Sequence, residues 1–252
     1  MNMFDLTGKT ALITGGNRGL GLGITEGLCE AGASVVILAT SDSVYDIAKD
    51  LCNKGYSVKG LKGDLSDIEN MESLFEEALD LLGGKIDILV NNAGIQRRNK
   101  CEEFLLEDWE SVLTVNLTAV FRMCQLAGRK MLEQGKGKII NVASMLSFFG
   151  GFTVPAYAAS KGGVAQLTKA LTNEWAGRGI NINAIAPGYM ATEMNVKLIE
   201  DEKRNAEILS RIPAKRWGNE QDVKGTAVFL ASEASNYLCG AIIPVDGGYL
   251  CR

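Results

Sequence analysis

Short apolar runs alternate along the chain with longer amphipathic stretches. The runs at 10–13, 34–39, 57–61, 86–90, 138–142, 181–185 and 241–245 predict β-strands, and the stretches at about 19–31, 41–54, 67–82, 103–132, 156–177 and 220–234 predict helices. The strands are apolar nearly throughout instead of alternating with polar residues, the pattern of strands buried on both faces. A parallel sheet covered by helices on either side satisfies that pattern, and right-handed crossovers make it doubly wound. No linker, repeat or charge block interrupts the rhythm, so residues 1–252 are expected to form a single domain. Residues 190–213 depart from it, being polar and carrying Glu200, Asp201, Glu202, Lys203 and Arg204. Open α/β sheets take ligands beyond the carboxyl ends of their strands. The segment therefore reads either as a substrate lid or as a solvated pair of surface helices.

Composition removes several chemistries. The 252 residues contain no histidine, which rules out a Ser-His-Asp triad, a histidine-ligated zinc and imidazole acid/base catalysis. Proton transfer must then use Tyr, Lys, Cys or a carboxylate. With 26 basic against 30 acidic residues the net charge is −4, which argues against a nucleic-acid groove. Cys29, Cys52, Cys101, Cys124, Cys239 and Cys251 form no CxxC pair and show no ligand-like spacing, so no metal site is expected. The start, MNMFDLTGK, lacks the character of a secretory leader, and no apolar run approaches the roughly 18 residues of a membrane span. The expected location is the cytoplasm, without membrane or nucleic-acid partners.

Directly after the first strand comes TGGNRGLG, residues 14–21, opening a helix with Leu20, Ile24 and Leu28 on one face. Gly15 suits a tight turn, Gly19 a close backbone approach, and Gly21 close packing of helix on strand. The helix N-terminus then presents N–H groups and a positive dipole end to a pyrophosphate, as in a Rossmann-like dinucleotide fold. The end of the second strand faces the adenosine 2′ position in such folds. Here it reads Leu38, Ala39, Thr40, Ser41, with no acidic residue. Arg18 can reach a 2′-phosphate there and Thr40 or Ser41 can hydrogen-bond it, but no second basic residue lies beside them in sequence. NAD and NADP both stay open.

Tyr157 and Lys161 stand four residues apart in a predicted helix and so share a face. A tyrosine near pKa 10 is a poor base at neutral pH, but a neighbouring ammonium stabilises its phenolate and makes it a usable acid/base. Ser144 lies just past the strand at 138–142, whose end opens on the same crevice.

These motifs together resemble the short-chain dehydrogenase/reductase family over essentially the whole chain. They run in order: TGGNRGLG from Thr14, Asp64 with Leu65, NNAG at 91–94, Asn116, Ser144, Tyr157 with Lys161, Pro187 with Gly188 and Thr192, and VDGG at 245–248. The resemblance implies an NAD(P)-dependent oxidoreductase. Tyr157 would be its proton donor and acceptor, and Ser144 would hold the substrate oxygen. Lys161 would tune Tyr157 and hold the nicotinamide ribose, and Asn116 would order a water. It implies cofactor contacts from Gly15, Asn17, Arg18, Gly19, Leu20, Gly21 and Thr40 at the phosphate loop and the end of the second strand. Asp64 and Leu65 would lie at the adenine, and Asn92, Ala93 and Gly94 along the cofactor. Pro187, Gly188 and Thr192 would sit at the nicotinamide. It also implies a homotetramer.

Within the family, NNAGIQRR (91–98), ASMLSFFGG (143–151), APGYMAT (186–192) and RIPAKRWG (211–218) resemble the enzymes that oxidise 2-dehydro-3-deoxy-D-gluconate at C5. A sugar acid needs a cation for its carboxylate and dispersed donors for its hydroxyls. Gln96, Arg97 and Arg98 follow the cofactor-lining turn and are candidates beside Ser144, Met145 and Tyr189. The arginines read equally as surface residues. Three other functions share the scaffold: a 3-oxoacyl-[acyl-carrier-protein] reductase, another polyol or gluconate dehydrogenase, and a non-catalytic NAD(P)-sensing regulator.

Overall fold

A computed structural model describes residues 2–251. In β1 (Thr10–Thr14) every second side chain turns to the opposite side of the sheet, Ala11 and Ile13 to one core and Leu12 to the other. Both sides are apolar because both are covered, and that is why no alternation is visible in the sequence. β2 (Ser34–Ala39), β3 (Val58–Lys62), β4 (Ile88–Asn91), β5 (Gly137–Val142), β6 (Ile180–Pro187) and β7 (Ile242–Val245) complete a seven-stranded sheet in the order β3-β2-β1-β4-β5-β6-β7, with every pairing parallel. The order reverses between β1 and β4, which opens a crevice beyond their carboxyl ends.

On one face α1 (Gly19–Glu30), α2 (Ser43–Asn53) and α9 (Glu220–Ala231) bury Ile24, Leu28, Val44, Leu51, Val223 and Leu230 against the sheet. On the other, α3 (Met71–Leu81), α5 (Ala119–Gln134) and α6 (Pro155–Trp175) bury Phe75, Met123, Met131, Val164 and Leu171. A third, smaller core lies off the sheet. Met145, Ile208, Ile212 and Tyr249 are buried there with Tyr189 and Trp217 packed around them.

The predicted continuous helix at 103–132 is divided. A short 3₁₀ turn (Cys101–Glu103) is followed by α4 (Leu106–Leu113), then by a π-helical turn (Thr114–Thr118), then by α5. One extra residue in a turn rotates the apolar stripe by about 100°, a change of phase that composition does not reveal. α3 begins at Met71, later than the predicted 67, because the Asp67 carboxylate accepts the Asn70 backbone N–H (3.3 Å) and side-chain amide (2.7 Å) and holds those residues in a turn. The 190–213 segment folds as a helical pair, α7 (Val196–Glu200) and α8 (Glu202–Arg211), capped by Asp201, which accepts from the Arg204 N–H. Its inner side, Leu198, Ile208 and Leu209, belongs to the third core. Among the described residues no helix is long and apolar enough to cross a membrane.

Candidate active site

The loop between β1 and α1 is built on glycine. Gly15 (φ +65°) and Gly19 (φ +51°) occupy the left-handed region, and a Cβ on Gly21 would strike the Gly15 carbonyl and the Asn92 amide. No side chain caps α1 after Arg18, so its first-turn N–H groups face the crevice. The next loop is stitched to this one. Asn92 donates its amide to the carbonyls of Thr14 and Gly15, both at 3.0 Å, and the Asn92 and Ala93 N–H groups donate to the Thr14 hydroxyl. An uncapped helix N-terminus over a glycine cradle fits the diphosphate of a dinucleotide.

The remaining cofactor candidates lie in this loop and α1, and past the carboxyl ends of β2, β3 and β6. At the end of β2 the Asn17 amide donates to Ser43 (2.9 Å) and Ser41 (3.3 Å), whose hydroxyls lie 2.6 Å apart, and Thr40 is exposed beside them. Arg18 is ion-paired to Glu193 at 2.7 Å. The Asp64 carboxylate takes the Ser66 N–H and hydroxyl, both at 2.8 Å, and Leu65 turns its side chain into the core, so only its backbone is available to a ligand. Leu20 packs against the sheet from α1. Pro187 ends β6, and Gly188 follows with its N–H on the Val245 carbonyl (2.9 Å) and no room for a side chain beside Asp246. The Thr192 methyl lies 3.6 Å from where a Gly19 Cβ would be.

Beyond β5 the backbone leaves the sheet in an extended conformation at Ser144, whose hydroxyl accepts the Leu146 N–H at 3.2 Å. α6 starts with Pro155 in its first turn and carries Tyr157 and Lys161 along one side. The Lys161 ammonium, 5.7 Å from the Tyr157 ring centroid, donates to the Val142 carbonyl at 2.6 Å, and burial lowers its pKa to about 8. Burial raises the phenol of Tyr157 above its ordinary value; the Ser144 hydroxyl draws it back, followed by the positive charge of Arg98. A phenol that is protonated at neutral pH and faces a second hydroxyl can give a proton to a carbonyl oxygen, and can take one from an alcohol as pH rises.

Asn116 is fully buried in the π-turn. Its oxygen accepts the Ile95 N–H (2.8 Å), and its amide donates to the Ile95 carbonyl (2.9 Å) and the Ser160 hydroxyl (3.3 Å). The amide expected to order a water is thus bonded to protein through both atoms, and it pins the loop after β4 to α6. A Cβ on Gly94 would lie 3.2 Å from the Asn116 oxygen and 3.8 Å from the Lys161 ammonium, which makes this part of the crevice tight.

The two arginines after that loop separate. Arg97 turns to α4, pairing with Asp108 at 3.2 Å and bonding the Gln96 carbonyl. Arg98 has no carboxylate partner among the described residues. Its pKa is lowered first by desolvation and further by Arg204, against the pull of the Tyr189 and Tyr157 phenols. Tyr189 stands edge-on to Trp217 (5.4 Å) and Tyr249 (5.3 Å), and Met145 is buried in the same cluster. Sequence reading missed Tyr249, Arg211 and Asn205. Arg211 lies 4.6 Å over the Tyr249 ring, and Asn205 accepts the Trp217 indole N–H at 2.8 Å. Arg211 opens the string RIPAKRWG without being singled out, whereas Tyr249 and Asn205 have no local signal; the C-terminal turn and α8 bring them in.

The chain is similar to known proteins along its whole length. The family model described as short chain dehydrogenase matches residues 9–203. The chain is 50% identical over 250 residues to a 2-dehydro-3-deoxy-D-gluconate 5-dehydrogenase of Bacillus subtilis, covering 99% of this chain and 97% of that protein. It is 47% identical over 253 residues to the enzyme of that name from Escherichia coli, covering 100% and 99%. The solved structure of a gluconate 5-dehydrogenase from Burkholderia cenocepacia in complex with NADP and tartrate superposes with a TM-score of 0.96 at 40% identity, covering 100% of this chain and 98% of that one. The family-model match and the full-length similarity lead to one conclusion: the chain belongs to the short chain dehydrogenase family.

Proposed function

We propose that this protein is an NAD(P)-dependent oxidoreductase that interconverts the C5 alcohol and ketone of a sugar acid, 2-dehydro-3-deoxy-D-gluconate. The observation that carries the reading is the Tyr157 ring 5.7 Å from the Lys161 ammonium on α6, with the Ser144 hydroxyl and the Arg98 guanidinium, which has no carboxylate partner among the described residues, both drawing the phenol down. When bound, the nicotinamide takes the hydride in oxidation and supplies it in reduction. Ser144 hydrogen-bonds the substrate oxygen as charge develops on it. Tyr157 takes the hydroxyl proton in oxidation and returns it in reduction. Lys161 places a charge beneath the phenol and meets the ribose. Asn116 acts by positioning, since it holds the loop that carries Gly94 and leads to Arg98. Arg98, not Arg97, meets the substrate carboxylate, because Arg97 is committed to Asp108. Tyr189 and Met145 wall the sugar. Gly15, Gly19, Leu20 and Gly21 hold the diphosphate, Asn92 to Gly94 line the cofactor, Asp64 and the Leu65 backbone meet the adenine, and Pro187, Gly188 and Thr192 meet the nicotinamide.

The names of the relatives support the substrate class. The assay follows the absorbance of reduced nicotinamide with 2-dehydro-3-deoxy-D-gluconate and either NAD⁺ or NADP⁺, with Tyr157→Phe as control. Turnover that disappears in the control is expected. Absence of turnover beside clear dinucleotide binding would overturn the substrate.

The proposed assembly is a homotetramer in the cytoplasm. Leu105, Leu106 and Phe121 are exposed around α4 and α5, and Tyr237 stands fully exposed before β7, which suits contact with further copies. A monomeric mass in solution at micromolar concentration would refute the assembly.

A further inference from the structure

We infer that Glu193 sets the cofactor preference of this chain by holding Arg18 away from the adenosine 2′ corner. The inference rests on the dinucleotide reading above.

The corner beyond β2 contains neutral hydrogen-bonding groups, the Asn17 amide with the hydroxyls of Ser41 and Ser43, and its carboxylate, Asp42 between those serines, is already paired with Lys62. Two cations border it, and each is already paired. Lys62, in register with Ala39 at the end of β2, is bonded to Asp42 at 2.8 Å. Arg18, immediately before α1, is bonded to Glu193 at 2.7 Å. A 2′-phosphate brings an anion that a guanidinium binds well and neutral hydroxyls bind weakly. A 2′-hydroxyl brings no charge and makes no demand on Arg18. Binding of NADP therefore competes with the Arg18–Glu193 pair, and binding of NAD does not.

The acid is the better anchored partner. Glu193 opens a 3₁₀ turn whose Asn195 donates its N–H to the Thr192 carbonyl and its amide to the Met190 carbonyl, each at 2.9 Å, and the Thr192 methyl lies over Gly19. Arg18 is a long side chain whose side-chain bonds among the described residues go to that one carboxylate. The segment leading into α7 and α8 thus reaches across the crevice and engages the one residue of the phosphate loop able to recognise a phosphate beyond the diphosphate. Both side chains are about three-quarters exposed, so the pair is worth only what surface pairs are worth. The expected discrimination is correspondingly about threefold to fivefold.

The test is direct titration calorimetry of NADP⁺ and NAD⁺ against the wild type, Glu193→Gln, Arg18→Ala and the double variant, none of which needs turnover. Glu193→Gln is expected to tighten NADP⁺ about threefold to fivefold and leave NAD⁺ unchanged. That gain should shrink at high salt and vanish in the Arg18→Ala background. An equal change for both dinucleotides, no change, or a gain that survives without Arg18 would overturn the role of Glu193 while leaving the dinucleotide reading intact. A wild type that binds neither dinucleotide would overturn both.

Discussion

Lys138 and Lys161 border the same strand at opposite ends. Lys138 is the second residue of β5, and Lys161 donates to the carbonyl of Val142, the last residue of that strand. Burial lowers the pKa of each to about 8. The ammonium of Lys138 is met by the Asn236 side-chain oxygen (2.8 Å) and the Ser235 hydroxyl (3.2 Å) in a cavity of about 180 Å³ that also holds Lys9, Asp87 and Glu233. Lys161 has one backbone carbonyl and faces a phenol and the narrow floor at Gly94. A depressed lysine pKa therefore marks burial in both places. Chemistry is expected only at the carboxyl end, where strand ends and loops converge and a group that can ionise stands opposite.

The strongest way to break this contrast is at the phenol. Tyr157→Phe should lower turnover about 10²- to 10⁴-fold while dinucleotide binding persists. A variant that turns over normally at saturating cofactor would move the chemistry elsewhere.

Replacing the carboxylate's cation comes next. Arg98→Gln should raise KM for the sugar acid about tenfold or more, since a charge-assisted bond is lost. It should also move the alkaline rise of the oxidation rate to higher pH, because removing the cation leaves burial to hold the phenol up with only Ser144 opposing. Arg97→Ala, which loses an exposed pair with Asp108 and a bond to the Gln96 carbonyl, should change neither reading.

The two lysines can then be compared directly. Lys161→Met should lower turnover, and Lys138→Met should not. Each lysine has a folded pKa of about 8 below its ordinary 10.5, so between those values the unfolded chain binds the extra proton and stability rises with pH. Below the folded value both states are charged and these groups contribute no slope. Urea unfolding across that window should show the slope reduced by either substitution. An unchanged slope in Lys138→Met would mean that its ammonium is solvated, and the comparison of the two ends would fail.

Much of the site was visible in the chain before folding. TGGNRGLG, Ser144, and Tyr157 with Lys161 are local signals, because a turn that needs glycine or a pair four apart on a helix is fixed by neighbours in sequence. The cation acting on the phenol was less visible. The spacing from Tyr157 to Lys161 shows the ammonium, 5.7 Å from the ring centroid, but not Ser144 or Arg98, which draw the phenol down from 13 and 59 residues upstream. Asn116 was identified as a site residue but not as the clasp on Ile95, since the π-turn that turns it inward leaves no trace in the apolar pattern. Met145 and Tyr189 were candidates, yet their companion Tyr249 comes from the C-terminal turn and has no motif of its own.

The parallel sheet, its two covered faces and the glycine loop were determined by the chain itself. Apolar runs of strand length must be buried, and left-handed turns favour glycine wherever they fall. Tertiary structure alone decided which groups act on one another: the Arg98 charge on the Tyr157 phenol, Arg97 paired with Asp108, and Arg18 paired with Glu193 across the crevice. Those pairings depend on where crossovers deliver loops that are far apart in sequence. Charge acts over a few ångströms, a distance that the order of residues along the chain does not contain.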